Sequence, residues 1–158
     1  MFRRKKKTLL PPKKMFTDVP AGLRVFLLND LALKLASQMK GNPQAYSKEA
    51  DRIFDKLYKR NARGIALERA GQIDKAIVLY EANIADMFGG NHPYDRLRII
   101  YSKRKQYDQA LRVCQQFIQM ADTLKKLGSP RSDLPAKRQR FVEWCKKLEI
   151  KLQKQANQ

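Results

Sequence analysis

Two stretches of the chain match at an offset of 34 residues, and no other feature of the sequence restricts the fold as much. Ala76 pairs with Ala110, each preceded by an Asp-x pair in Asp74-Lys75-Ala76 and Asp108-Gln109-Ala110. Around them Leu67 pairs with Tyr101, Ile73 with Tyr107, Ile77 with Leu111 and Tyr80 with Cys114. A period of this length means a supersecondary unit copied along the chain, each copy burying its apolar face against the next. A small residue such as Ala at the same place in both copies lets two backbones cross closely, while a bulky residue four positions on fills the neighbouring groove.

The rest of the chain is patterned for helices and shows neither strand alternation nor hairpin signals. Leu23, Leu27, Leu31 and Leu35 recur every four residues between positions 21 and 39, with Phe26 and Leu28 beside them, so that helix is apolar on more than one side. Asn42 can cap and Pro43 suits a first turn, opening a second helix from about position 44 whose apolar face holds Tyr46, Ala50, Ile53, Phe54 and Leu57. Nothing breaks it before Gly64, so it reads as one rod to Ala70, stopped by Gly71. A third helix covers 73–87 and a fourth 93–103. A fifth begins near Tyr107 and is ended by Gly128-Ser129-Pro130, and a sixth covers 134–155. The last one is expected to act as a cap, with Phe141, Trp144, Cys145, Leu148 and Leu152 on its apolar side and Arg140, Lys146, Lys147 and Lys154 opposite. The fold class is all-α, with about six helices joined by connections short enough to favour antiparallel neighbours.

The stretch 57–124 resembles the tetratricopeptide repeat family. The first unit holds Gly64, Leu67, Gly71, Ala76 and Tyr80, and the second holds Tyr94, Leu97, Tyr101, Tyr107 and Ala110. Arg98 and Lys105 stand where the first unit has Gly64 and Gly71. The resemblance implies antiparallel helix pairs in a right-handed superhelix, with flanking helices completing a core that two units cannot close alone. It also implies a groove lined by the first helix of each pair, here Asn61, Ile65, Arg69, Asp95, Arg96, Ile99 and Lys103.

Charge narrows the choice of partner. The 158 residues carry a net charge of +19, distributed as +7 over residues 1–14, +1 over 15–95 and +11 over 96–158. The first segment, with Arg3, Arg4, Lys5, Lys6, Lys7, Lys13 and Lys14 and no acid, reads as a flexible polyanion-binding arm extending to about residue 18, before a single all-helical domain over 19–156. Thr8-Leu9-Leu10 runs directly into Pro11-Pro12, so a secretory leader is not expected. No apolar run approaches the ~18–20 residues of a membrane span. The two cysteines, Cys114 and Cys145, cannot build a disulfide scaffold or a four-thiolate site and fall on apolar helix faces. The one histidine, His92, sits in a turn, and no nucleophile motif, phosphate loop or acidic metal cluster accompanies it. The expectation is therefore a cytoplasmic protein that is not an enzyme and carries no cofactor or metal. It would bind a partner protein or acidic peptide through a basic groove. The alternative is a backbone-directed association with nucleic acid or another polyanion, for which Tyr58 and Tyr94 are the aromatic residues off the core faces.

Overall fold

The computed structural model describes residues 8–158, so Arg3, Arg4, Lys5, Lys6 and Lys7 lie outside the described residues. After a short 3-10 turn at Pro12–Lys14 come six helices: α1 (Ala21–Ser37), α2 (Pro43–Arg69), α3 (Ile73–Ala85), α4 (His92–Lys103), α5 (Tyr107–Lys126) and α6 (Leu134–Ala156). The described residues contain no strand, and no helix among them is long and apolar enough to cross a membrane. Each helix packs chiefly on the ones before and after it. The pairing of α2 with α3 is antiparallel, because Leu57 meets Asn83 while Gly64, two turns further along α2, meets Tyr80.

The matched alanines sit where the spacing puts them: Ala76 and Ala110 are both fully buried. The mismatched positions turn out to be complementary. A Cβ on Gly64 would lie 2.6 Å from the Tyr80 ring, so the absent side chain of α2 is the space that ring fills. One unit later the sizes are exchanged. Arg98 replaces the glycine and Cys114 the tyrosine, and the Arg98 guanidinium lies 3.6 Å over the Trp144 ring of α6. At this second position the larger residue stands on α4 and the smaller on α5, and the long side chain reaches on to α6.

Helix ends repeat as well. In all of α1 to α5 the residue after the C-cap adopts a left-handed conformation, at Met39, Met87 and Lys105 as well as at Gly71 and Gly128. Each end carries the same pair of backbone hydrogen bonds. At α2, Gln72 N–H donates to Leu67 O and Gly71 N–H to Glu68 O; at α4, Gln106 N–H donates to Tyr101 O and Lys105 N–H to Ser102 O. This is the Schellman arrangement. The turn glycine of the first unit is therefore replaced by Lys105 in residue type but not in geometry.

Two buried clusters make the core. The larger spans α3 to α6 and includes Tyr80, Tyr94, Leu97, Phe117 and Phe141. Its centre is an aromatic column in which Phe117 stacks on Phe141 at 4.0 Å and Tyr94 meets Phe117 edge-on at 5.3 Å. The smaller joins Leu28, Ala32 and Leu35 of α1 to Tyr46, Ala50, Ile53 and Leu57 of α2, and reaches Phe88 beyond α3. Gly22 N–H donates to Asp86 O at 2.7 Å, so the α1 backbone rests directly on the turn after α3 and links the clusters.

Two expectations need correction. The segment 8–16 is docked rather than free along its length. Arg24 donates to Met15 O, Pro12 O and Lys13 O, Tyr46 Oη donates to Leu10 O, and Met15 and Phe16 pack on the smaller cluster. On α6, Leu134, Phe141, Cys145 and Leu148 are the buried residues, whereas Trp144 is half-buried at the rim between Phe141 and Arg98. Arg98 of α4 covers one face of the indole and Phe141 meets it edge-on.

A non-glycine residue in the left-handed region costs about 1–2 kcal/mol, whereas glycine inside an exposed helix costs about 1 kcal/mol. Lys105→Gly is therefore expected to stabilise the chain by about 1 kcal/mol and Lys103→Gly to destabilise it by a similar amount. Urea unfolding of the two variants checks this.

Candidate functional site

Along α2 the residues Phe54, Tyr58, Asn61, Ile65 and Arg69 follow at spacings of four, three, four and four, which places them on one face. Opposite this face, His92 and Arg96 stand one turn apart at the start of α4. Two adjoining cavities lie along the resulting trough and share His92 in their walls.

The first cavity, about 590 Å³, is apolar. Val25 and Phe26 of α1, Phe54 and Tyr58 of α2, and Phe88 of the α3–α4 turn form much of its wall. Phe54 stacks between Tyr58 at 6.2 Å and Phe88 at 6.3 Å. Phe54 is nonetheless 49% exposed and Tyr58 58% exposed, so this aromatic row is open on its outer side. No carboxylate lines it; its polar groups include the side chains of Asn29, Asn61, Asn91 and Arg131. The Asn91 side chain does not cap α4 and so keeps its hydrogen-bonding capacity.

The second cavity, about 370 Å³, is polar and lined by Ile65, Glu68, Arg69, His92 and Arg96. Glu68 is its anchor. The carboxylate accepts from both Nε and Nη2 of Arg96 and from Tyr80 Oη at 2.8 Å, which joins α2, α3 and α4 at one group. Burial raises the Glu68 pKa, but the hydrogen bonds from Arg96 and Tyr80 outweigh it and hold the carboxyl below its ordinary value. Burial, and then the Glu68 carboxylate, push Tyr80 well above the usual phenol range. His92 has its Nδ1 3.2 Å from Asn61 Oδ1 and its ring edge-on to Tyr80 at 5.7 Å. Burial, then the Arg96 charge, lower its pKa, so the ring is neutral at physiological pH.

Of the groove residues expected from sequence, the trough brings together Asn61, Ile65, Arg69 and Arg96. Arg96 is neutralised by Glu68. Arg69 is exposed and belongs to none of the ion pairs among the described residues. Ile99 and Lys103 continue the His92–Arg96 stripe along α4, outside both cavities. Asp95 is turned to other work: it accepts from Arg98, which stacks on Trp144. Lys13 and Lys14 lie elsewhere, walling a separate cleft of about 570 Å³ with Glu49 and Arg52. Tyr94, expected to lie off the core, is 1% exposed and donates to Phe88 O at 3.0 Å. Its ring belongs to the aromatic column, edge-on to Phe117 of α5.

Glu68, His92 and Phe88 were not singled out as binding residues. Glu68 carried a signal, since an acid 28 residues before Arg96 falls one 34-residue unit's helix pair away from it. Phe54 was assigned to the core face of α2, and half of it is. Among the described residues no three His, Cys, Asp or Glu side chains cluster to hold a metal ion. Cys114 and Cys145 are buried and free.

Because the folded-state pKa of Glu68 lies below its ordinary 4.5, its contribution is present above that value and is lost as the pH falls through the folded-state value. Glu68→Gln is expected to cost about 1.5–3 kcal/mol at neutral pH, the range for hydrogen bonds to a charged group. The gap to the parent protein should close as the solution is acidified below pH 4.5, followed by thermal melts across pH 7 to 3. No family model matches the sequence, no curated protein matches it, and no solved structure matches it.

Proposed function

We propose that this chain is a non-enzymatic helical-repeat interaction protein that receives an acidic segment of a partner protein in the trough along α2. In this reading the two 34-residue units form a tetratricopeptide-like right-handed superhelix, with α1 and α6 as flanking caps. The exposed guanidinium of Arg69, free of the ion pairs found among the described residues and set at the polar end of an open cavity, is the observation that carries the proposal. A partner carboxylate there gains a charge-assisted hydrogen bond without breaking an existing ion pair. The charge balance supports an acidic partner. Ten of the 15 carboxylates are already engaged in ion pairs among the described residues, so few acids are left to balance the 34 cations of the chain. Cys114 and Cys145 are buried and unbridged, which accords with the cytoplasmic setting of this reading.

A second reading, association with nucleic acid, is favoured by one feature. Arg140, Lys146, Lys147 and Lys154 are all exposed on α6 with no carboxylate paired to them. The two readings predict different damage. A fluorescent hexaglutamate peptide and a fluorescent oligothymidylate are titrated at physiological salt. The targets are the parent protein, an Arg69→Glu, Lys103→Glu variant and a Lys146→Glu, Lys147→Glu, Lys154→Glu variant. The peptide is expected to bind and to lose at least about tenfold in affinity, ~1.4 kcal/mol, in the first variant alone. Tighter binding of the oligonucleotide, abolished in the second variant, establishes the nucleic-acid reading instead.

A further inference from the structure

We infer that the trough takes an extended, two-part segment: a large apolar or aromatic side chain in the aromatic cavity, and an acidic residue about five positions away against Arg69. This rests on the acidic-partner reading above and specifies what else that partner must carry. Tyr58 and Arg69 are eleven residues apart on one helix face. At ~1.5 Å per residue this is about 16 Å, which an extended peptide covers in about five residues at ~3.3 Å each.

The two ends ask for different chemistry. At the aromatic end, Phe54 and Tyr58 remain about half exposed although they stack on one another and on Phe88. The cavity they wall, about 590 Å³, falls in the size range of sites that enclose small ligands or anchoring side chains. An apolar side chain seated there removes aromatic surface from water on both partners. At the other end Arg69 supplies the cation. Between them stands the amide of Asn91, able to donate and accept, which suits the N–H and C=O groups of a peptide backbone, while Asn61 beside it is buried and already meets His92. Charge complementarity selects the occupant, since no carboxylate lines the aromatic cavity and the one lining the polar cavity, Glu68, is fully taken up by Arg96 and Tyr80. A single strand of nucleic acid stacking on Phe54 and Tyr58 is the competing occupant. The Asn91 amide favours a peptide, and the cation in the wall of the aromatic cavity, Arg131, is already held by Asp133 and Gly89 O rather than offered to a run of phosphates.

The test is selection from a phage-displayed library of random twelve-residue peptides on the intact protein. The binders are then re-measured by fluorescence anisotropy on Tyr58→Ala, Phe54→Ser and Arg69→Glu. Tyr58 and Arg69 are surface residues, so those variants keep the fold, and circular dichroism verifies Phe54→Ser. The expected result is enrichment of an aromatic residue or Leu separated by four to six residues from Asp or Glu. Affinity should fall at least tenfold in Tyr58→Ala and in Arg69→Glu. Enrichment of acidic peptides that lack the apolar residue, sensitive to Arg69→Glu but indifferent to Tyr58→Ala, overturns this inference and leaves the acidic-partner reading standing. No acidic enrichment at all, or binders indifferent to every variant, overturns both. Displacement of enriched peptides by oligothymidylate, together with tighter binding of that oligonucleotide, assigns the aromatic row to nucleic acid and overturns the inference as well.

Discussion

The relative placement of α2, α3 and α4 depends on one side chain, Tyr80. Its ring fills the space that Gly64 leaves open, and its hydroxyl donates to Glu68, whose carboxylate also holds Arg96. Three helices thus meet at a group that is partly buried, charged and fully partnered, an arrangement in which losing any member leaves the others unpaired. The trough is a consequence. With α4 tied to α2 through Arg96 and Glu68, the stripe from Phe54 to Arg69 faces the first turn of α4 at a fixed separation, and Asn61 meets His92 across it.

Much of this architecture is legible in the sequence, for reasons that differ by element. The helices were bounded by residues with strong local preferences. Asn42-Pro43 opens α2, where Asn42 Oδ1 accepts from Ala45 N–H, and Gly71 and Gly128 close α2 and α5 in the left-handed conformation. The buried alanines at 76 and 110 follow from their common offset. What stayed hidden was carried by groups without a side-chain signature. Nothing in the types Met39, Met87 and Lys105 marks them as left-handed stops, yet each takes that conformation. The docking of residues 8–16 is likewise mostly a matter of backbone carbonyls accepting from Arg24 and Tyr46, which composition cannot reveal.

The candidate site was half legible for a related reason. Periodicity places Asn61, Ile65 and Arg69 on the face of α2 that meets the next unit, and that is where they lie. The aromatic extension was obscured because Phe54 belongs to two surfaces, packing on Phe88 while leaving its outer face open. Charge counting also needed the structure. Arg96 and Arg69 look equivalent in sequence, yet the first is spent on Glu68 and only the second is available to a partner. The same economy holds across the chain. Arg112 bonds Glu81, Arg60 bonds Asp86 and Arg138 bonds Asp122, so the anions stabilise the fold and the unmatched cations define the surface.

The claim at the centre of this account is that the α2 face between Phe54 and Arg69 is where a partner binds. Amide hydrogen exchange of the full chain, with and without saturating hexaglutamate peptide, tests it most directly. The account predicts slowed exchange confined to α2 from residue 54 onward and to the turn and first residues of α4 around 88–96, with α6 unchanged. Protection that falls instead on the lysine face of α6, leaving α2 untouched, would contradict it.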